Sequence, residues 1–383
     1  MTTMPTPKWK IKLKPVEVPP RLLRSLPLAR QCTHNTGENG TTKAGCGQCT
    51  TYHCSIKGTV KLAECANCGE WHGVEQLVSP PQLQVNGDWI KAPDVWPMFR
   101  KMIEQEKANY KPGTYEGDGI VIVGGGKYFP AAYCNARLIR HHGCNLPIQL
   151  WYLGRNNEMP DKWQRIMEQY GATCHDADAQ TLITPMRILN GWELKFYAIQ
   201  QSSFRRIIYL DADCYPMRDP TFTLNDPRFL GSGAVFQRDC KAYEFIKPEV
   251  LEMFGLPKEK VWDLESGACL IDKNRWGLAL HLTVFLNSYS DLVYKVVYGD
   301  KTTPALAARL AGQSYATPIH APGGGNWGLM QKWFEGLDMW QHRIHCKPTL
   351  EPTNFTSNQH RKVKNIAWTN EISAYLNELR RLI

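Results

Sequence analysis

Nowhere does the sequence run through about eighteen uninterrupted apolar residues, so hydropathy gives no helical membrane span. It also lacks the charged segment followed by an apolar core that marks a secretory leader, and the expected location is therefore the cytoplasm. Acidic residues are nearly missing from residues 1–30, where Glu17 stands alone against Lys8, Lys10, Lys12, Lys14, Arg21, Arg24 and Arg30. That basic arm supplies +6 of a net charge of +9, which suits the phosphates of nucleic acid or an anionic surface as well as it suits a solvated tail. Aliphatic residues are scarce from 31 to 80, so this stretch cannot bury a core unaided and needs another staple. No low-complexity tract and no internal repeat interrupt the chain.

What is present is a 383-residue chain with 43% hydrophobic content, enough for a large folded core. The staple for residues 31–80 is read from cysteine. Cys46-x-x-Cys49 and Cys65-x-x-Cys68 are separated by fifteen residues, a spacing at which four thiolates close a tetrahedral zinc site. Cys32, His34, His53, Cys54 and His72 fall in the same stretch and offer a replacement ligand or a second site. Cys134 and Cys269 stand apart and read as buried thiols. Residues 89–351 alternate apolar strands with amphipathic helices, the pattern of an α/β domain. The tail, 352–383, is polar until "NEISAYLNELRRLI", whose apolar spacing predicts a closing helix.

Within the α/β part, "GIVIVGGG" reads as a buried strand ending in a glycine turn. Helix, strand, helix and strand follow through "PAAYCNARLIRHHG", "PIQLWYLG", "PDKWQRIMEQYG" and "ATCHDA". This Rossmann-like succession places ligands at the carboxyl ends of the strands. A later apolar run, "IIYLDADCYPMRDP", ends in Asp211 and Asp213. Two residues apart on a strand, they point to one face, where a hard divalent cation would relieve their repulsion and bridge to diphosphate oxygens. The same pattern also caps helices and forms turns.

From Gly119 to about Lys347 the chain resembles the GT-A glycosyltransferases of the mannosyltransferase group, which includes fungal alpha-mannosyltransferases and bacterial and phage relatives. The resemblance runs in order through "GIVIVGGGKYFPAAYCNARLIRHHGCNLPIQLWYLG", "GWELKFYAIQQSSFRRIIYLDADCYPMRDP", "ESGACLIDKNRW", "LNSYSDLVYKVVYGDKTT" and "GLMQKWFEGLDMWQHR". It implies a GT-A, nucleotide-sugar-binding α/β fold preceded by the Cys-rich, zinc-like module.

The resemblance further implies that Asp211 and Asp213 form the DxD motif that holds Mn2+ or Mg2+ and the donor diphosphate. His342 in "WQHR" takes the place of the third metal ligand, with His345 as runner-up. Gly124, Gly125 and Gly126 with Tyr128 fall where such enzymes bind the nucleotide, and Lys195 in "GWELK" would neutralise donor phosphates as the bond breaks. Glu265 and Asp300 are then the catalytic carboxylates facing the sugar, and Lys301 contacts a phosphate or pairs with Asp300. The chain departs from the family after "ESG" and at Thr302, so the donor sugar is not fixed.

The expected activity is metal-dependent hexose transfer from a UDP- or GDP-sugar to an acceptor hydroxyl, with retention of anomeric configuration. The basic arm makes DNA the leading acceptor, through a hydroxymethylated pyrimidine. A glycan or lipid-linked sugar is the alternative, and a zinc-containing nucleic-acid-binding protein with an inactive transferase scaffold is the reading from another class.

Overall fold

The computed structural model describes residues 94–383 except 156, 241–243, 326–327, 345–346 and 351–366. Before these it describes only backbone strands: β1 (Thr51–Cys54) pairs antiparallel with β2 (Gly58–Lys61), and β3 (Leu83–Val85) with β4 (Asp88–Ile90). The arm 1–30 and Cys46, Cys49, Cys65 and Cys68 lie outside the described residues, as does the side chain of every other ligand candidate in 31–80. The chain divides into two compact units, Met1–Val95 and Trp96–Ile383.

The larger unit is built on a six-stranded sheet. Its first helix, α1 (Val95–Asn109), sets Phe99 against Phe285, Tyr289 and Phe254. Strand β5 (Glu116–Val123) starts exposed and ends buried: "EGD" meets solvent, whereas Ile120, Val121 and Ile122 are fully covered. Continuous apolar residues are what a central parallel strand requires, because helices cover both of its faces. Then come α2 (Phe129–His141), β6 (Ile148–Tyr152), α3 (Asp161–Glu168), β7 (Ala172–Asp176), α4 (Leu194–Gln201) and β8 (Phe204–Asp211).

Past β8 lie β9 (Cys214–Pro216), β10 (Ala234–Arg238) and β11 (Leu264–Asp272). The sheet order is β10-β11-β8-β5-β6-β7, with β8, β5, β6 and β7 parallel and β11 antiparallel to both its neighbours. The order in which strands are added therefore switches sides at β5, with β6 and β7 laid down on one side of it and β8 on the other. At such a switch point ligands are taken beyond the carboxyl ends of β5 and β8.

After helices α5 (Gly277–Ser288) and α6 (Thr303–Ala311), a second sheet of order β12-β13-β14-β9 forms from β12 (Gly323–Gly325), β13 (Gly328–Lys332) and β14 (Asp338–His342) with β9. Strand β9 follows directly on the β8 turn, so this sheet hangs beside the carboxyl end of β8. The closing helix forms as the spacing predicts, as α7 (Thr369–Leu382). It is part of the core and not a loose tail: Ile372, Leu376 and Leu379 are buried on one face, and Arg137 of α2 stacks on Tyr375 and pairs with Glu378. Each such apolar burial is worth about 1.5–3 kcal/mol.

Candidate active site

Strand β8 carries Ile207 to Leu210 into the core and ends at Asp211, opposite Val123 of β5 and hence beside the switch point. Asp213 falls beyond the strand, in the turn to β9, so strand alternation does not explain its placement. The turn does. Asn135 of α2 donates to the Asp211 carbonyl at 3.1 Å and the Cys214 carbonyl at 2.9 Å, and the Arg343 amide donates to the Asp213 carbonyl at 2.9 Å. Pairing of β9 with β14 then sets His342 opposite Cys214.

The imidazole Nε2 lies 3.7 Å from Asp211 Oδ2 and 3.6 Å from Asp213 Oδ1. One ligand atom from each of the three side chains lies within 4.8 Å of the others, and the N,O,O donor set suits Mn2+ or another divalent cation. Of the carboxylates called from sequence, Glu265 is placed behind the histidine. Its Oε1 meets His342 Nδ1 at 2.9 Å, the Gly267 amide reaches both its oxygens at 3.0 and 3.1 Å, and Gln331 donates to Oε2. With both oxygens engaged in these contacts, Glu265 is placed to orient the imidazole. Gly267 makes room for this: a Cβ there would lie 2.4 Å from His342 Nδ1. Glu265→Gln is expected to weaken Mn2+ binding about 10–100-fold, measured by titration, with the far-ultraviolet circular dichroism retained.

Charge in the cluster is strongly coupled. Burial disfavours the imidazolium, but Glu265 and Asp213 outweigh it and hold His342 well above its ordinary range. Burial likewise opposes ionisation of Asp213, yet His342 and Lys347 hold that carboxyl down at about 2. Asp211 moves the other way, raised by burial against the pull of Lys195. The proton on His342 is the charge that a bound cation would displace. Mn2+ affinity is therefore expected to rise by up to about tenfold per pH unit while His342 stays protonated, because binding releases that proton. Calorimetric titration at three pH values checks this, and a pH-independent affinity contradicts it.

Lys195 sits in the first turn of α4, sealed from solvent, with Nζ 3.3 Å from Asp211, 2.9 Å from Asp300 and 2.8 Å from Ser266 Oγ. Against a burial effect that would neutralise it, Asp211 and Asp300 hold it charged. Ser266 Oγ in turn donates to Asp300 at 3.0 Å, and the Tyr209 hydroxyl donates to Asp211. Lysine, two carboxylates and a serine thus form one network that links Asp211 to the short 3-10 helix carrying Asp300.

Lys301 meets Asp239 and, at 3.5 Å, Asp263. Gly124, Gly125 and Gly126 follow directly on the carboxyl end of β5, where packing requires them. Gly125 has φ +111° and a Cβ there would lie 2.6 Å from the Asn157 carbonyl, while Gly126 has φ +48°. Tyr128 is partly exposed, with Lys347 Nζ 5.8 Å from its ring centroid. Lys347, which pairs with Asp213 at 2.7 Å, was not singled out from sequence, nor were Ser266 and Gln331. "WQHR" and "ESG" lie beside them but carry no pattern for partners brought in by β-sheet register. His345 lies outside the described residues, and no helix among them is long and apolar enough to cross a membrane.

Comparison with known proteins gives the following. Residues 117–263 match a family model described as "Mannosyltransferase putative". Alpha-1,2-mannosyltransferase MNN22 of Candida albicans is 24% identical over 330 residues, covering 69% of this chain and 52% of that protein. MNN24 of the same organism is 32% identical over 117 residues, 30% of this chain and 16% of that protein. MNN2 of Saccharomyces cerevisiae is 28% identical over 129 residues, 33% and 22% of the two chains. The chain thus spans at most about half the length of these curated relatives. Among solved structures, the glycosyltransferase GlyE of Streptococcus pneumoniae aligns with TM-score 0.42 and 14% identity over 69% of this chain and 60% of that one. The segment from 117 to 263, which holds Lys195, Asp211 and Asp213, is similar to the mannosyltransferase family; Glu265, Asp300 and His342 lie beyond it.

Proposed function

We propose that the protein is a metal-dependent glycosyltransferase that moves a hexose from a UDP- or GDP-sugar to a saccharide hydroxyl, with retention at the anomeric carbon. One observation carries the reading: Asp211, Asp213 and His342 converge at the switch point, where an α/β sheet takes its ligands. The alpha-1,2-mannosyltransferase names of the relatives support hexose transfer and a saccharide acceptor. Transfer to hydroxymethylated DNA rests on the charge of residues 1–30 alone, outside the described residues.

Asp211, Asp213 and His342 would hold the cation, which when bound supplies positive charge against the donor diphosphate. Glu265 keeps Nδ1 of His342 protonated, so Nε2 is the ligand atom. Lys195 holds Asp211 and Asp300 in place and adds a fixed positive charge at the point where negative charge grows on the leaving phosphate. As the bond from anomeric carbon to phosphate oxygen breaks, the acceptor hydroxyl attacks the same face and gives its proton to the departing phosphate. No separate protein base is then needed. Gly124 to Gly126 and Tyr128 border the side on which the nucleoside would lie.

The test is release of nucleoside diphosphate from a panel of UDP- and GDP-hexoses with Mn2+. Turnover of at least one donor is expected, and none with any donor overturns the proposal.

A further inference from the structure

The "GWELK" segment contains an aromatic side chain that the donor half of the site does not use. Trp192 is 58% exposed, unusual for a tryptophan held in a defined place. Its carbonyl accepts from the Lys195 amide at 3.3 Å, and its indole packs against Gly299, where a Cβ would lie only 3.0 Å from the ring. Gly299 has φ +71°, a conformation costly for other residues, so the chain there lets the indole approach its backbone. Tyr294 adds a ring 6.1 Å from the indole, and Tyr298, the residue before Gly299, is 65% exposed. Asp300, which follows Gly299, is bound to Lys195 and through it to Asp211. Two exposed aromatic side chains, Trp192 against Gly299 and Tyr298 next to it in the chain with Lys301 Nζ 5.1 Å from its ring centroid, therefore flank the short 3-10 helix that carries Asp300.

We infer that Trp192 and Tyr298 form the platform on which the acceptor sugar stacks, a role that rests on the transferase reading above. The C–H face of a pyranose packs on an aromatic ring while its hydroxyls stay hydrated or reach carboxylates, which positions one hydroxyl for attack. Charge selects the occupant. Lys195 is engaged by Asp300, and Lys301 by Asp239 and Asp263, so neither ammonium is offered to the phosphates of a nucleic acid and a neutral saccharide is favoured. A nucleobase could stack on the same rings, but it would bring its phosphates with it.

The test compares transfer with hydrolysis of the donor. Using whichever nucleotide sugar the parent protein hydrolyses, methyl α-mannoside and α-1,2-mannobiose serve as saccharide acceptors and a hydroxymethylcytosine oligonucleotide as the DNA acceptor. Trp192→Ala is expected to lower the ratio of saccharide transfer to donor hydrolysis about tenfold, through the acceptor's KM, with Trp192→Phe restoring most of it. Tyr298→Ala is expected to lower it less. If the parent hydrolyses no donor, the transferase reading itself fails. Donor hydrolysis without transfer to either saccharide, transfer to the oligonucleotide alone, or a ratio unmoved by Trp192→Ala each overturns the platform.

Discussion

Exchanging Asp213 for asparagine is expected to lower donor turnover about 10²–10³-fold while leaving the fold intact. Asparagine keeps the volume and one acceptor oxygen, so the turn anchored by Asn135 and Arg343 survives. What is lost is charge. The wild-type carboxyl is held at about 2 by His342 and Lys347 despite its burial, so it is anionic at every working pH. Without it the cation loses one of two anionic ligands, and the His342 imidazolium loses one of the partners that keep it charged. Raising Mn2+ should recover part of the rate, because weaker metal binding is the cause. Nucleotide release measured against Mn2+ concentration checks this, and a variant with the parent's rate and Mn2+ dependence would contradict it.

Replacing Lys195 by methionine is the second large effect, and it falls on stability as well as on rate. Methionine fills much of the same space but leaves Asp211 and Asp300 without their shared cation. Breaking a buried charge network in this way costs about 3–5 kcal/mol, because the remaining carboxylates must be desolvated unpaired or take up protons. A lower urea midpoint is expected, together with turnover reduced about 10²-fold or more. Adding Asp300→Asn to Lys195→Met removes one orphaned charge and should restore part of the midpoint without restoring turnover. A Lys195→Met protein with the parent's midpoint would show that the network does not hold the 3-10 helix at Asp300.

How much of this was legible in the sequence depends on the kind of contact. The strand at "GIVIVGGG", the strand ending at Asp211 and the closing helix follow from apolar period alone, and the structure has all three. Asp211 and Asp213 were found as a pair, although a turn and not a strand brings Asp213 into place. His342 was reachable only through the resemblance, because β9 and β14 are more than a hundred residues apart and nothing local specifies their pairing. Nothing in the sequence places Glu265 against His342, because one residue type can touch a sugar or brace a neighbouring side chain and only the fold sets the 2.9 Å contact. For Lys301 the sequence offers a phosphate or its neighbour Asp300, whereas the contacts with Asp239 and Asp263 come from segments far off in the chain and carry no local signal.

The central claim is that Asp211, Asp213 and His342 hold the cation that binds the donor diphosphate. Titration of Mn2+ into the protein with GDP or UDP present, followed by the electron paramagnetic resonance of the free ion, tests it most directly. The account predicts one nucleotide-dependent Mn2+ site per chain that is lost in Asp213→Asn and weakened in Glu265→Gln. Nucleotide binding that needs no divalent cation, or an Mn2+ site that survives Asp213→Asn unchanged, would contradict it.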